Sequence, residues 1–374
     1  MVILFALLTA LGVGNYDADL ARYAQRISGA GSATERAVYV YHRASLTADF
    51  ADLRDAETAI DSALGEEASV DMLFLRANFN FKMHRLQRAK DDLARVGDTA
   101  GARSLAAQIA LQEGDYDGAL RGYRAALVSE RTWDGLANLA YYEANTGNPA
   151  GADRLYVEAE DEITAKEMRS YAWVELQRGL LDFGQRRYAE ALAHYRRAEQ
   201  AYSGYWLIEE HIAEVLDRLG RTDEAVAQYR KVIDQTHNPE YVSALAAIVA
   251  RTDAKEADRL YAEADGLYDA RFQLYPEAAG GHLVRHLLAR SDAPLPRLLA
   301  VAEANANLRP NAEAKLLLAK AYWKADRPAE TERLLQEVKR TPWRTLELAE
   351  FEREVDETGS RSSASGSAAR KPQP

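Results

Sequence analysis

Two histidines in His282-Leu283-Val284-Arg285-His286 form the one local pair in the chain with metal-ligand spacing. Residues at i and i+4 share a helical face about one turn apart, so both imidazoles can reach one ion. Hydrolysis on such a helix needs a glutamate directly after the first histidine, and Leu283 stands there instead. A third ligand would have to come from Glu210, His211, Glu214 or another distant residue. The expectation is two surface or interface imidazoles with structural hydrogen bonds, no bound metal and no cofactor. His282 and His286 stay as the candidates should a metal bind. His211 follows Glu210 directly, but adjacent helical residues point apart, so no dyad is expected from that adjacency. His42, His84, His194 and His237 are scattered and read as structural. No glycine-rich phosphate loop, nucleophile elbow or paired-carboxylate motif occurs, and the chain reads as non-catalytic.

The elements that carry these residues follow from composition. The 374 residues are 47% apolar and 28% charged, enough to bury a core and cover it. Glycine (22) and proline (10) are too sparse for a many-turned β protein, while abundant Ala, Leu, Glu and Arg favour helix. Lys and Arg number 47 against 58 Asp and Glu, a net charge of −11, which argues against nucleic acid as the main partner. With no cysteine, disulfides, thiol nucleophiles and cysteine-held metal clusters are excluded.

The middle of the chain repeats. Gly114-Asp115-Tyr116-Asp117-Gly118-Ala119-Leu120 is followed by Tyr123 and Ala126-Leu127. The same grammar returns around Ala191 (with Tyr195 and Ala198) and Ala225 (with Tyr229 and Val232), and more weakly around Ala152 and Ala257. The small residues Ala119, Ala152, Ala191, Ala225 and Ala257 are spaced 33, 39, 34 and 32 apart. A small residue lets two helices of a hairpin approach, and the aromatic four positions later lies on the same face and fills the space towards the next hairpin. Further copies are expected at Ala56 with Ile60 and Ala63, and at Ala89 with Leu93 and Val96. Degenerate second helices are expected at Pro294–Pro310 and Asp326–Val338. The long gaps before Ala191 and after Ala257 predict an extended loop or helix and an irregular coil.

On these residues the chain resembles the tetratricopeptide repeat, whose period is about 34 residues, and in particular uncharacterised bacterial proteins of that kind. The resemblance implies an all-α, right-handed superhelical solenoid of antiparallel helix pairs, about nine hairpins over residues 15–356. It also implies a scaffold that holds a protein or peptide segment on its concave face. In the family's register Trp173, Leu176, Leu180 and Phe183 face inward, and Glu210 and Glu214 follow on the next hairpin, where with Asp217 they would suit a basic partner. The positions used by relatives that grip a terminal carboxylate hold Ser104, Gln108, Trp173 and Gln177 here, with only Asn138 in keeping. Two other readings stand beside the scaffold: a metal-binding protein or enzyme built on His282 and His286, and an assembly or envelope-structural component.

At the ends, Met1 to Gly14 (MVILFALLTALGVG) is too short to span a bilayer and matches the apolar region of a secretory signal, though no basic residue precedes it. If it is a signal the protein is exported, periplasmic or extracellular; otherwise it is cytoplasmic. Residues 357–374, rich in Ser, Gly, Ala and Pro, are expected to be a disordered tail.

Overall fold

The computed structural model describes residues 14–368 apart from 67, 165 and 166, with side chains as far as 357. The all-α expectation holds: twenty helices follow one another, and the only strands among the described residues, β1 (Gly14–Asn15) and β2 (Tyr202–Ser203), are two residues each and pair in parallel. Helix α1 (Tyr16–Ser28) leads into antiparallel pairs. These are α2 (Ala33–Thr47) with α3 (Phe50–Glu66), α4 (Val70–Lys82) with α5 (Leu86–Val96), and α6 (Ala100–Gln112) with α7 (Tyr116–Ser129). Next come α8 (Trp133–Asn145) with α9 (Pro149–Glu162), α10 (Met168–Phe183) with α11 (Tyr188–Ala201), and α12 (Trp206–Arg218) with α13 (Thr222–Thr236). The last pairs are α14 (Pro239–Val249) with α15 (Ala254–Leu274), α16 (Pro276–Ala289) with α17 (Leu295–Leu308), and α18 (Ala312–Lys324) with α19 (Pro328–Lys339), before the final α20 (Leu346–Ala368).

Local chemistry explains the hairpins. Six of their turns share one conformation, with a left-handed residue at His84, Gly114, Gly147, Arg186, Gly220 or Asp326. In each, the next N–H reaches back to a carbonyl five residues earlier, as Arg85 to Asn80, Asp115 to Ala110 and Arg221 to Leu216. This is a Schellman closure, which satisfies carbonyls that the helix end would otherwise orphan. Helix starts are capped in turn: the side chains of Ser69, Thr99, Asp115, Thr132, Asn148 and Asn311 each accept from a first-turn N–H. Within pairs the small residues sit at the closest approach: Ala56, Ala89, Ala119, Ala152, Ala191 and Ala225 are all fully buried. Tyr123, Tyr156, Tyr195 and Tyr229 fill the layer beside them, each buried aromatic contributing about 1.5–3 kcal/mol. Gly179 completes one such contact, since a Cβ there would overlap the Tyr195 ring.

The pairs wind so tightly that distant parts of the coil touch. Asp19 of α1 accepts from the Tyr202 hydroxyl (2.9 Å) and lies 3.4 Å from Arg169 of α10. The Trp206 indole donates to the Leu46 carbonyl (3.1 Å), and the Tyr275 hydroxyl donates to Glu57 (2.8 Å). The Ala312 amide donates to the Tyr116 hydroxyl (2.8 Å), and the Arg344 amide to the Asn145 carbonyl (2.7 Å). Each hairpin thus meets another roughly half the array away, so the coil is closed on itself along a seam.

The expected irregularities have specific causes. The long gap after Ala257 is taken up by α15, which runs 21 residues. Helix α20 continues through the Ser- and Gly-rich residues to Ala368, past the boundary at Glu357, where composition alone predicts disorder; residues 369–374 lie outside the described residues. So do residues 1–13, on which the export expectation rests. No helix among the described residues is long and apolar enough to cross a membrane.

If the seam contributes to stability, Asp19→Ala, which strips the acceptor from Tyr202, Arg22 and Arg169, lowers the unfolding free energy by about 1–3 kcal/mol. Amide exchange then speeds up in α1 and around Tyr202 rather than throughout. Unchanged exchange at both places would show that the turns do not hold one another.

Candidate functional site in the lumen

The first helix of each pair turns its inner face to a common axis. Tyr141 of α8 remains 41% exposed, yet its hydroxyl is pushed up by burial and lies in the field of Glu313 on α18 and of Arg309 and Arg285 beyond α15. His84, in the turn after α4, senses Arg309 and His282 in the same way. Groups that are wetted but surrounded by protein on every side line a lumen.

The inward stripe of α10 divides there. Leu176 is buried in the core that joins α10 to α1 and α2, and Trp173 packs edge-on against Trp133 at 5.9 Å between ring centres. Both line a cavity of about 330 Å³ between α2 and α10–α12. Leu180 lies in a separate groove of about 730 Å³ between α8–α10 and α20. Phe183 is at the rim, edge-on to Tyr188 (5.3 Å) with the Arg218 guanidinium over its face (5.9 Å). One continuous stripe in the repeat register therefore becomes two sites, because α1, α2 and α20 cross it.

Beside them the charged residues of the inner face are largely matched to one another. Glu240 lies 3.1 Å from His282 Nδ1, and Arg285 pairs with Glu313 (2.9 Å) and Glu347 (3.2 Å), the latter also bound by Lys320 (2.7 Å). Asp217 is engaged by Arg251. The acidic segment from which a basic partner was expected is thus partly neutralised within the fold.

Glu210 and His211 differ from the sequence expectation. Although adjacent on α12, they meet: His211 Nδ1 is 3.1 Å from a Glu210 carboxylate oxygen and 3.6 Å from Glu214, without hydrogen-bond geometry to Glu210. Burial pushes Glu210 up to about 8, against the pull of His211. Burial alone would lower His211, but Glu210 and Glu214 outweigh it and raise the imidazole to about 9. His211 also stacks on Tyr195 at 5.6 Å.

The other histidine pair does not converge. Both ring nitrogens of His286 are engaged, Nδ1 with Ser243 Oγ and Nε2 with Asp265, each at 2.9 Å. His282 turns instead to Glu240. The two imidazoles thus serve different partners, and the only group of three candidate ligand residues close enough to share an ion among the described residues is Glu210, His211 and Glu214. The positions compared with the carboxylate grip are used internally too, with Asn138 donating to Ser104 (3.3 Å).

Residues 182–248, from the end of α10 through α14, match the tetratricopeptide repeat family model. They contain the Ala191 and Ala225 copies of the grammar that recurs along the chain. These are tetratricopeptide repeats. Among solved structures the chain is similar to yeast Tom70, with 14% identity over 92% of this chain and 96% of that one, at a TM-score of 0.39. It is similar to Pseudomonas aeruginosa pilF (21% identity, 68% and 97% covered, TM-score 0.37). It is also similar to a tetratricopeptide repeat protein from Parabacteroides merdae (13% identity, 68% and 97% covered, TM-score 0.39). No curated protein matches the sequence significantly.

The tetratricopeptide register missed Lys82, Arg169, Tyr41 and Tyr205, which line the smaller cavity, and Arg344 and Leu346, which line the larger groove. Lys82 and Arg169 stand at the ends of their helices, outside the inward positions of the repeat, and α20 carries no recognisable copy of it. No local signal marks them.

The stability that the protonated His211 draws from its ionised carboxylate neighbours is lost as pH rises through about 9. The stability difference between wild type and His211→Gln is therefore expected to shrink across that window. In NMR titration, Glu210→Gln lowers the His211 midpoint; an unmoved midpoint would mean Glu210 does not hold the proton there.

Proposed function

We propose that this tetratricopeptide chain is a non-catalytic scaffold, and that it holds an apolar-anchored segment of a partner protein in the groove between α8–α10 and α20. The observation that carries the reading is the groove itself. It offers about 730 Å³ walled by Tyr141, Leu180, Leu181, Leu346 and Leu348. Leu180 and Leu346 are half-buried there and Tyr141 is 41% exposed, so apolar surface stands open in a concave place, where contact sites concentrate. Gln177 and Asn145 supply hydrogen-bonding groups for the backbone of an extended segment. Lys339 and Glu352 face each other across one edge at 3.5 Å, so the rim selects neither charge strongly. A partner with two or three apolar side chains and a modest net charge fits it better than the basic segment expected from Glu210 and Glu214.

A photo-reactive side chain placed at position 180 is expected to trap one dominant protein in cells. The same group at Val128, which is 89% exposed on the second helix of its pair, should trap none of it. Leu180→Asp should reduce the partner's affinity about ten-fold or more while leaving the melting curve near that of wild type. Equal capture at 180 and 128, or a partner indifferent to Leu180→Asp, would place binding elsewhere.

A further inference from the structure

We propose that the smaller cavity, between α2 and α10–α12, binds a small organic monocarboxylate with an apolar body. The cavity is separate from the partner groove and its argument is independent of the scaffold reading. Its volume of about 330 Å³ falls within the range of small-molecule sites. What distinguishes it is an imbalance of charge. Lys82 and Arg169 both line it, and no Asp or Glu does.

Among the described residues, no hydrogen bond, ion pair or ring contact engages the Lys82 ammonium, which opens on the lumen; with no carboxylate to offset it, desolvation by the surrounding wall lowers its proton affinity. Arg169 has one carboxylate, Asp19, at 3.4 Å and the Tyr23 hydroxyl at 3.3 Å, both at the long end of the range. A guanidinium has five N–H donors, so several remain for a ligand. His42 stands beside them and is held neutral near pH 7: burial first, then the Arg169 and Lys82 charges, lower it to about 4. Asp19 is shared between Arg169 and Arg22, which it meets at 2.7 Å, so positive charge exceeds negative in a partly enclosed space. Lys82 is exposed to the lumen, so its ammonium is open to an anion that enters the cavity.

The remaining wall decides what the anion is attached to. Trp133 and Trp173 meet edge-on at one side, and Tyr41 and Tyr205 stand at the other, around Leu46, Leu176 and Ile208. A ring or short alkyl chain is favoured against such surfaces, by about 25 cal/mol for each Å² withdrawn from water. Inorganic phosphate would gain nothing from the aromatic wall. A carboxylate on an apolar body satisfies both.

The test titrates the full chain at neutral pH with 3-phenylpropionate, 4-phenylbutyrate and straight-chain alkanoates of increasing length, with the matching amides and inorganic phosphate as controls. Binding is read by calorimetry and by the fluorescence of Trp133 and Trp173. At least one acid is expected to bind saturably at one equivalent, with its amide and phosphate about ten-fold weaker or more. Lys82→Met should cost at least about ten-fold in affinity and Lys82→Arg much less. Because Lys82 is exposed to the lumen, neither change should alter the melting of the unliganded chain. Absence of binding across the acid series, equal binding of acid and amide, or full affinity in a folded Lys82→Met protein would each overturn the proposal. None of these outcomes depends on a protein partner at Leu180.

Discussion

A helical hairpin buries one face against its neighbours, and its inner face must either be solvated or find something to pack on. Here it finds the rest of the same chain. Tyr202 with Asp19, Trp206 with Leu46, Tyr275 with Glu57, and Tyr116 with Ala312 join segments that lie far apart in sequence. Each hydrogen bond contributes only about 0.5–1.5 kcal/mol net. Together they change the kind of object the array is. A repeat protein ordinarily behaves as a line of units coupled to nearest neighbours; a coil closed along a seam couples units across its turns.

Closure also sets the electrostatics. Inner-face groups that would be solvated in an open groove stand within reach of charges from helices on the far side. The fold meets this by pairing them, Glu240 with His282 and Arg285 with Glu313 and Glu347, and by letting Glu210 and His211 keep protons they would shed in water. The net charge of −11 therefore says little about the interior, where Glu240, Glu313 and Glu347 are matched by cations while Lys82 and Arg169 line a cavity with no carboxylate.

Both cavities lie where turns of the coil meet. Within a hairpin, Ala191 and Tyr195 or Ala225 and Tyr229 fit closely because the same short segment supplies both sides. Across the seam the surfaces come from separate hairpins: α2 against α10–α12, and α20 against α8–α10. They share apolar cores and a few polar contacts, yet leave space between. That space collects residues with no place in the repeat grammar, and this is why Lys82, Arg169 and Leu346 escaped the sequence reading while Trp173, Leu176 and Leu180 did not.

The sequence by itself determined the repeat. Small residues at Ala119, Ala152, Ala191 and Ala225, tyrosines four positions on, and turn residues such as Gly114 and Gly220 specify helix pairs through interactions spanning a few residues, and periodicity records such interactions directly. It also placed Trp173, Leu176, Leu180 and Phe183 along one face of α10. Only the tertiary structure decided what that face meets. The winding of the coil is the sum of small rotations between successive hairpins, and a period of about 34 residues does not encode their size. A slight change in each would open the seam, part Asp19 from Tyr202, and turn both cavities back into a groove. Whether Lys82 has a counter-ion was likewise decided by the helices it meets across the coil, α10 and α12.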